Sequence, residues 1–184
     1  QWLRDGINVI DHAAQTEPLA LSVPDSGGVV VVPAFTGLGS PWWDPRARGA
    51  ILGITRGTTR AHLTRAVVES MVFQTRYVID AMVSASGVSL SSLRVDGGAA
   101  VMDLLCQLQS NHLNVEVKRP TVLETTAMGA AYLAGLAEGV WNSTKDIADA
   151  WHLDRRFEPQ PTGTEGADYE RWLRDVQRSL NWQR

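Results

Sequence analysis

The stretch LRVDGGAAVMDLL, residues 93–105, constrains the fold more than any other part of the chain. Leu93, Arg94 and Val95 read as a short strand ending at Asp96, while Val101, Leu104, Leu105 and Leu108 recur at helical spacing. Between them stand two adjacent glycines, Gly97 and Gly98, with the Asp96 carboxylate just before. Glycine has no Cβ, so it takes positive φ cheaply and lets another backbone or a ligand come close. The first amides of a helix lack an intrahelical partner and carry partial positive charge. Such a junction is therefore either a plain tight turn or a place where a phosphate can rest.

The rest of the chain supplies strands and helices in alternation. Residues 1–12 show helical spacing at Trp2, Leu3, Ile7 and Ile10, with no capping residue ahead of them and no initiator Met. That start, in mid-helix, reads as a fragment of a longer protein. A polar stretch leads to the turn at residues 25–28, then Val29, Val30, Val31 and Val32 form a buried strand ending at Pro33. Residues 33–49, dense in Gly, Pro and Trp, read as an ordered loop, because linkers rarely carry two tryptophans. A strand is expected over residues 50–55 and a long helix over 61–83, buried on most sides. On that helix Arg65, Glu69, Arg76 and Asp80 form one charged stripe with two i,i+4 pairs, read as a solvated face.

Beyond the diglycine, helix is expected over 100–112, strand over 115–118 and helix over 124–139. Ala127, Ala130, Ala131 and Ala134 would let this last helix approach a neighbour closely. A short helix capped by Ser143, a loop with Pro159 and Pro161, and a final helix over 168–182 complete the order. The strand–helix alternation predicts an α/β domain with a parallel sheet, whose ligands bind beyond the carboxyl ends of its strands. Asp96, Gly97 and Gly98 lie at such an end.

Bulk properties exclude several classes. A formal net charge of -3 without a basic run points away from nucleic acid. No apolar run reaches the roughly 18 residues of a membrane span. One cysteine, Cys106, rules out a disulfide framework and fits a cytoplasmic setting, with the thiol as a small core group. His12, His112 and His152 show no metal spacing, and no Ser/His/Asp or Cys/His nucleophile constellation is visible. His62 reads as a helix-start residue, Trp42 and Trp43 as packing residues, and Arg46 and Arg48 as partners of Asp44 or an oligomer contact.

Four blocks in order then carry a resemblance. The segment VVPAFTGLGSPWWDPRARGAILGITRGT, residues 31–58, closely resembles the corresponding region of bacterial glycerol kinases. GAILGITRGTTRAHLTRAVVES, residues 49–70, fits the second signature of the wider carbohydrate kinase family with the FGGY signatures, and RVDGGA and TTAMGAAYLAGLAEGVW are similar to its next two blocks. The resemblance implies a two-domain kinase of the actin-like, ribonuclease H-like ATPase fold, with ATP between the domains. This chain would be most of the second, C-terminal domain, lacking its opening strands, with a helical tail over about 160–184. The glycerol-binding pair, the catalytic aspartate and a phosphate-contacting threonine would all lie upstream, so no catalytic residue is expected here.

On the nucleotide side the resemblance implies, residue by residue, that Gln1 borders the nucleotide. Gly98, flanked by Gly97 and Ala99, would meet it with its backbone. Met102 stands where the family often has an adenine-facing asparagine, and a thioether can pack on a ring but cannot replace that hydrogen bond. Asp96 would bind Mg²⁺ through water or act as a turn cap. The implied reaction moves the γ-phosphoryl group of ATP to glycerol, giving glycerol 3-phosphate. The isolated chain is expected to be inactive, and the longer protein to be a homo-oligomer. A kinase of another polyol or ketose, or a noncatalytic nucleotide-binding or assembly module, are the alternatives.

Overall fold

The computed structural model describes residues 1–182 of the 184-residue chain. Its spine is α3, Arg60–Ser86, around which three apolar clusters form. Strand β1, Val30–Val32, pairs antiparallel with β2, Ala50–Leu52. The valine run is buried on both faces, which is why it reads as continuous apolar sequence rather than alternation. Val29 and Val31 meet Ala66 of α3, while Val30 and Val32 meet Phe73 of α3 and the apolar stripe of α7, Glu165–Ser179. That stripe is Tyr169, Trp172 and Val176, and the Trp172 indole N–H donates to the Val31 carbonyl at 3.0 Å.

The second sheet is β3, Ser92–Arg94, parallel to β4, Glu116–Pro120, which pairs antiparallel with β5, Leu153–Phe157. So only β3 and β4 match the parallel expectation. Helix α4, Asp103–Leu113, crosses between them and buries Cys106 against Val117 and Phe157. Burial raises the Cys106 thiol to about 11, in keeping with an inert core group. Helix α5, Thr125–Ala137, and α6, Thr144–Asp149, follow; Ser143 caps α6, its Oγ accepting from the Asp146 amide at 3.3 Å.

Several expectations change. The N-terminal helix is only α1, Trp2–Asp5, because Gly6 ends it with its amide on the Trp2 carbonyl and Asn8 turns the chain at φ 51°. A second helix, α2, Thr16–Leu21, occupies the stretch read as irregular. β2 stops at Leu52 because Gly53, at φ 78°, passes so near Gly28 that a Cβ would lie 2.2 Å from the Gly28 carbonyl oxygen. The final helix begins at Glu165 and ends at Ser179; the last two residues of the expected tail lie outside the described residues. Ala127, Ala130, Ala131 and Ala134 are exposed, and the close approach on α5 is instead Trp141 against Gly135.

The charged stripe of α3 is not uniformly solvated. Arg65 and Glu69 pair at 2.7 Å with side chains only 12% and 16% exposed. Burial pushes the Glu69 carboxyl up, opposed by its bonds to Arg65 and Ser26. Arg76 reaches Asp80 at 3.6 Å and lies over the Tyr169 ring. His62 closes a capping box with Thr59 at the start of α3, as its position predicts. Trp42 stacks on Tyr77, but Trp43 is exposed, which corrects the packing role read for it. Asp44 accepts from the backbone amides of Arg46 and Asn181, while the Arg48 guanidinium donates to the Pro45 and Ala47 carbonyls.

His112 of α4 lies edge-on to Phe73, ring centroids 5.1 Å apart, with its buried Nδ1 finding no partner among the described residues. Burial, aided by Arg76, lowers its pKa, so the unfolded chain takes up this proton first as pH falls. Stability should therefore drop as pH falls below about 6.5 toward the lower folded value. Urea unfolding of the wild type and His112→Gln between pH 7.5 and 5.5 should show a smaller pH slope in the variant.

Candidate functional site

The end of β3 leads through Val95, whose amide bonds the Lys118 carbonyl, to Asp96, Gly97 and Gly98. Gly97 takes φ 78° and donates its amide to the Leu123 carbonyl at 3.0 Å, so the bend is pinned to the segment before α5. Asp96, exposed, accepts a hydrogen bond from the Thr125 hydroxyl at the start of α5. A Cβ built on Gly97 or Gly98 meets no heavy atom within 4 Å, so both present open main chain.

The helix does not begin at the glycines. A 3₁₀ turn, Gly98–Val101, comes first, and Met102 caps α4 in extended conformation. The anion at the start of α4 is internal: the Glu17 carboxylate of α2 accepts from the Leu104 amide at 2.6 Å. The junction presents the backbone of the turn, while the Leu104 amide of α4 is already engaged by Glu17.

Gln1, Gly98, Ala99 and Met102 all border one cavity of about 740 Å³, within the size range of small-molecule sites. Its walls come from α1, α2, β1, the middle of α3 and the 3₁₀ turn, and they are largely apolar, with Trp2, Ile10, Val31, Val67 and Met71 among them. Gln1 stands at the head of α1, its carbonyl accepting the Arg4 and Asp5 amides. Met102 is at once a wall residue and part of the buried cluster with Val68, Val72 and Leu105, so its thioether is held in the floor. Gly97 and Asp96 lie beside this hollow without lining it. The guanidinium lining it, Arg4, is already bidentate on Asp5, at 2.6 and 3.0 Å.

The hollow thus combines largely apolar walls with an unobstructed backbone at one rim. Direct metal binding has less support: no group of three or more His, Cys, Asp or Glu side chains able to hold an ion exists among the described residues. No helix among the described residues is long and apolar enough to cross a membrane.

Two features escaped the sequence. Glu17 reaches α4 across 87 residues of chain, and Arg119 of β4 reaches the carbonyls of Ala100 and Val101, at 3.1 and 3.2 Å. Neither contact has a local signal. Replacing Glu17 with Ala should leave the Leu104 amide unsatisfied and lower stability by about 1–2 kcal/mol, measured by urea unfolding.

Comparison with known proteins shows the family. Glycerol kinase 2 of Thermotoga maritima is 56% identical over 185 residues, which cover 100% of this chain and 37% of that protein. Glycerol kinase of Saccharolobus islandicus is 52% identical, over 99% of this chain and 36% of its own length. Glycerol kinase of Plasmodium falciparum, whose crystal structure is with ADP, matches at a TM-score of 0.84 and 31% identity, over 97% of this chain and 36% of that one. A xylulose kinase of Lactobacillus acidophilus shares the fold at a TM-score of 0.72 and 24% identity, over 96% of this chain and 36% of that one. The chain spans little more than a third of the length of these relatives. Residues 1–138 match the family model described as FGGY family of carbohydrate kinases, C-terminal domain, and the chain belongs to that family.

Proposed function

We propose that this chain forms the nucleotide-binding wall of an ATP-dependent glycerol kinase, with residues 1–184 as part of its C-terminal domain and a tail over about 160–184 whose helix is α7, Glu165–Ser179. The observation that supports this most is the convergence of Gln1, Gly98, Ala99 and Met102 on one apolar hollow. Gln1 lies nearly a hundred residues of sequence from the other three, and the fold brings it to them. The kinship with glycerol kinases supports a primary hydroxyl of glycerol as the acceptor.

In this reading the apolar walls and the Met102 thioether receive the base and exclude water from it. Open main chain at Gly98 and Ala99 lets the nucleotide lie flush with the bend, while Gly97 sets the direction of that bend. Bound MgATP supplies the γ-phosphoryl group, whose transfer depends chiefly on positioning and charge stabilisation. Asp96, which accepts a hydrogen bond from Thr125, would bind a magnesium ion through water. The proton-accepting carboxylate comes from the remainder of such a kinase, as does the glycerol pocket. A cytoplasmic setting and a homo-oligomer accompany this assignment.

The test is direct. Gly98→Ala puts its methyl into open space, so unfolding free energy should stay within about 0.5 kcal/mol of wild type. MgADP affinity, read by isothermal titration of the chain, should fall about tenfold or more, because that methyl occupies the nucleotide's approach. The chain alone should form no glycerol 3-phosphate from MgATP and glycerol. Equal MgADP affinity in the two proteins, or turnover by the chain, would overturn the proposal.

A further inference from the structure

We propose that Arg119 is a positioning residue that holds the nucleotide-facing turn from behind. The inference rests on the reading of Gly98 and Ala99 as the nucleotide's rim. Arg119 rises from β4 beneath the 3₁₀ turn, its side chain 12% exposed. One terminal nitrogen, Nη1, donates to the carbonyls of Ala100 and Val101, at 3.1 and 3.2 Å, and to Asp103 Oδ1 at 2.9 Å. Nε donates to Asp154 Oδ2 on β5 at 2.7 Å. The Phe157 ring lies 5.4 Å from the guanidinium carbon.

The geometry separates this from an ordinary surface ion pair. The two carbonyls belong to the closing residues of the turn, buried Ala100 and exposed Val101, and the Ala100 carbonyl also accepts from the Cys106 thiol. A single guanidinium satisfies them while two carboxylates, one on each side, fix its plane. Asp103, held in turn by Arg155, begins α4, so the same group joins the turn, the helix after it and the two strands below. Only a planar fork with several donors does this at once; the ammonium of a lysine is a point charge on a flexible stem. With its carbonyl end fixed, the turn keeps its opening residues at the rim in one orientation, so the nucleotide meets a surface already arranged for it.

The experiment pairs amide hydrogen exchange with MgADP titration on the chain carrying Arg119→Met, Arg119→Lys or Asp154→Asn. The Ala100 and Met102 amides, which bond the Gly97 and Ala99 carbonyls, report on the turn. In Arg119→Met they should exchange about tenfold faster while β1 and α7 exchange as in wild type, and MgADP affinity should fall about tenfold. Arg119→Lys should recover only part of both. Asp154→Asn should move both the same way by a smaller factor, and it decides the matter if Arg119→Met does not fold. Unchanged exchange at Ala100 and Met102 would overturn the proposal. Faster exchange with unchanged MgADP affinity would also overturn it, leaving a structural clamp only. If wild type binds no MgADP, the underlying nucleotide reading fails and this proposal with it, an outcome distinguished by the exchange data from failure of the clamp.

Discussion

The hydrogen bond from the Gly97 amide to the Leu123 carbonyl governs how the functional end of this domain is assembled. It is made possible by φ 78° at Gly97, a conformation that a residue with a Cβ adopts at a cost of about 1 kcal/mol or more. Through it the chain leaving β3 turns at Gly97, and the next residues border the cavity in the 3₁₀ turn before α4 begins. Asp96 repeats the tie through Thr125, so the bend is joined to the head of α5 at two places. A backbone laid out this way has little left to rearrange when a ligand arrives.

Legibility in the sequence followed the range of the interactions. The valine strand, the long α3, the His62 cap and the diglycine bend all depend on neighbours a few residues away, and each was readable. β5 was not: Leu153–Phe157 carries Asp154, Arg155 and Arg156, four of its five residues are exposed, and only Phe157 turns into the core. Its strand character comes from pairing with β4, not from its own composition. The first helix was over-extended because Ile7 and Ile10 happen to fall at helical spacing, whereas Gly6 and Asn8 decide the local backbone.

The site shows the same division. Gln1, Gly98, Ala99 and Met102 were identified from motif resemblance, and the fold brings them to one hollow. The groups that orient that hollow come from afar: Glu17 at α4, Arg119 beneath the turn, Leu123 against Gly97. The Glu17 carboxylate already engages the Leu104 amide, and the cavity walls beside it are largely apolar. Local sequence specifies the residues that line the hollow, and distant sequence supplies the hydrogen bonds that hold them.

Cys106 adds a practical consequence. Its sulfhydryl lies fully covered and donates to the Ala100 carbonyl at 3.4 Å, on the underside of the same bend. An alkylating reagent reaches that sulfur only in molecules whose floor has momentarily come apart. As the chain's single cysteine, it is a built-in stopwatch: the half-life of its modification times the breathing of this region with no engineered label.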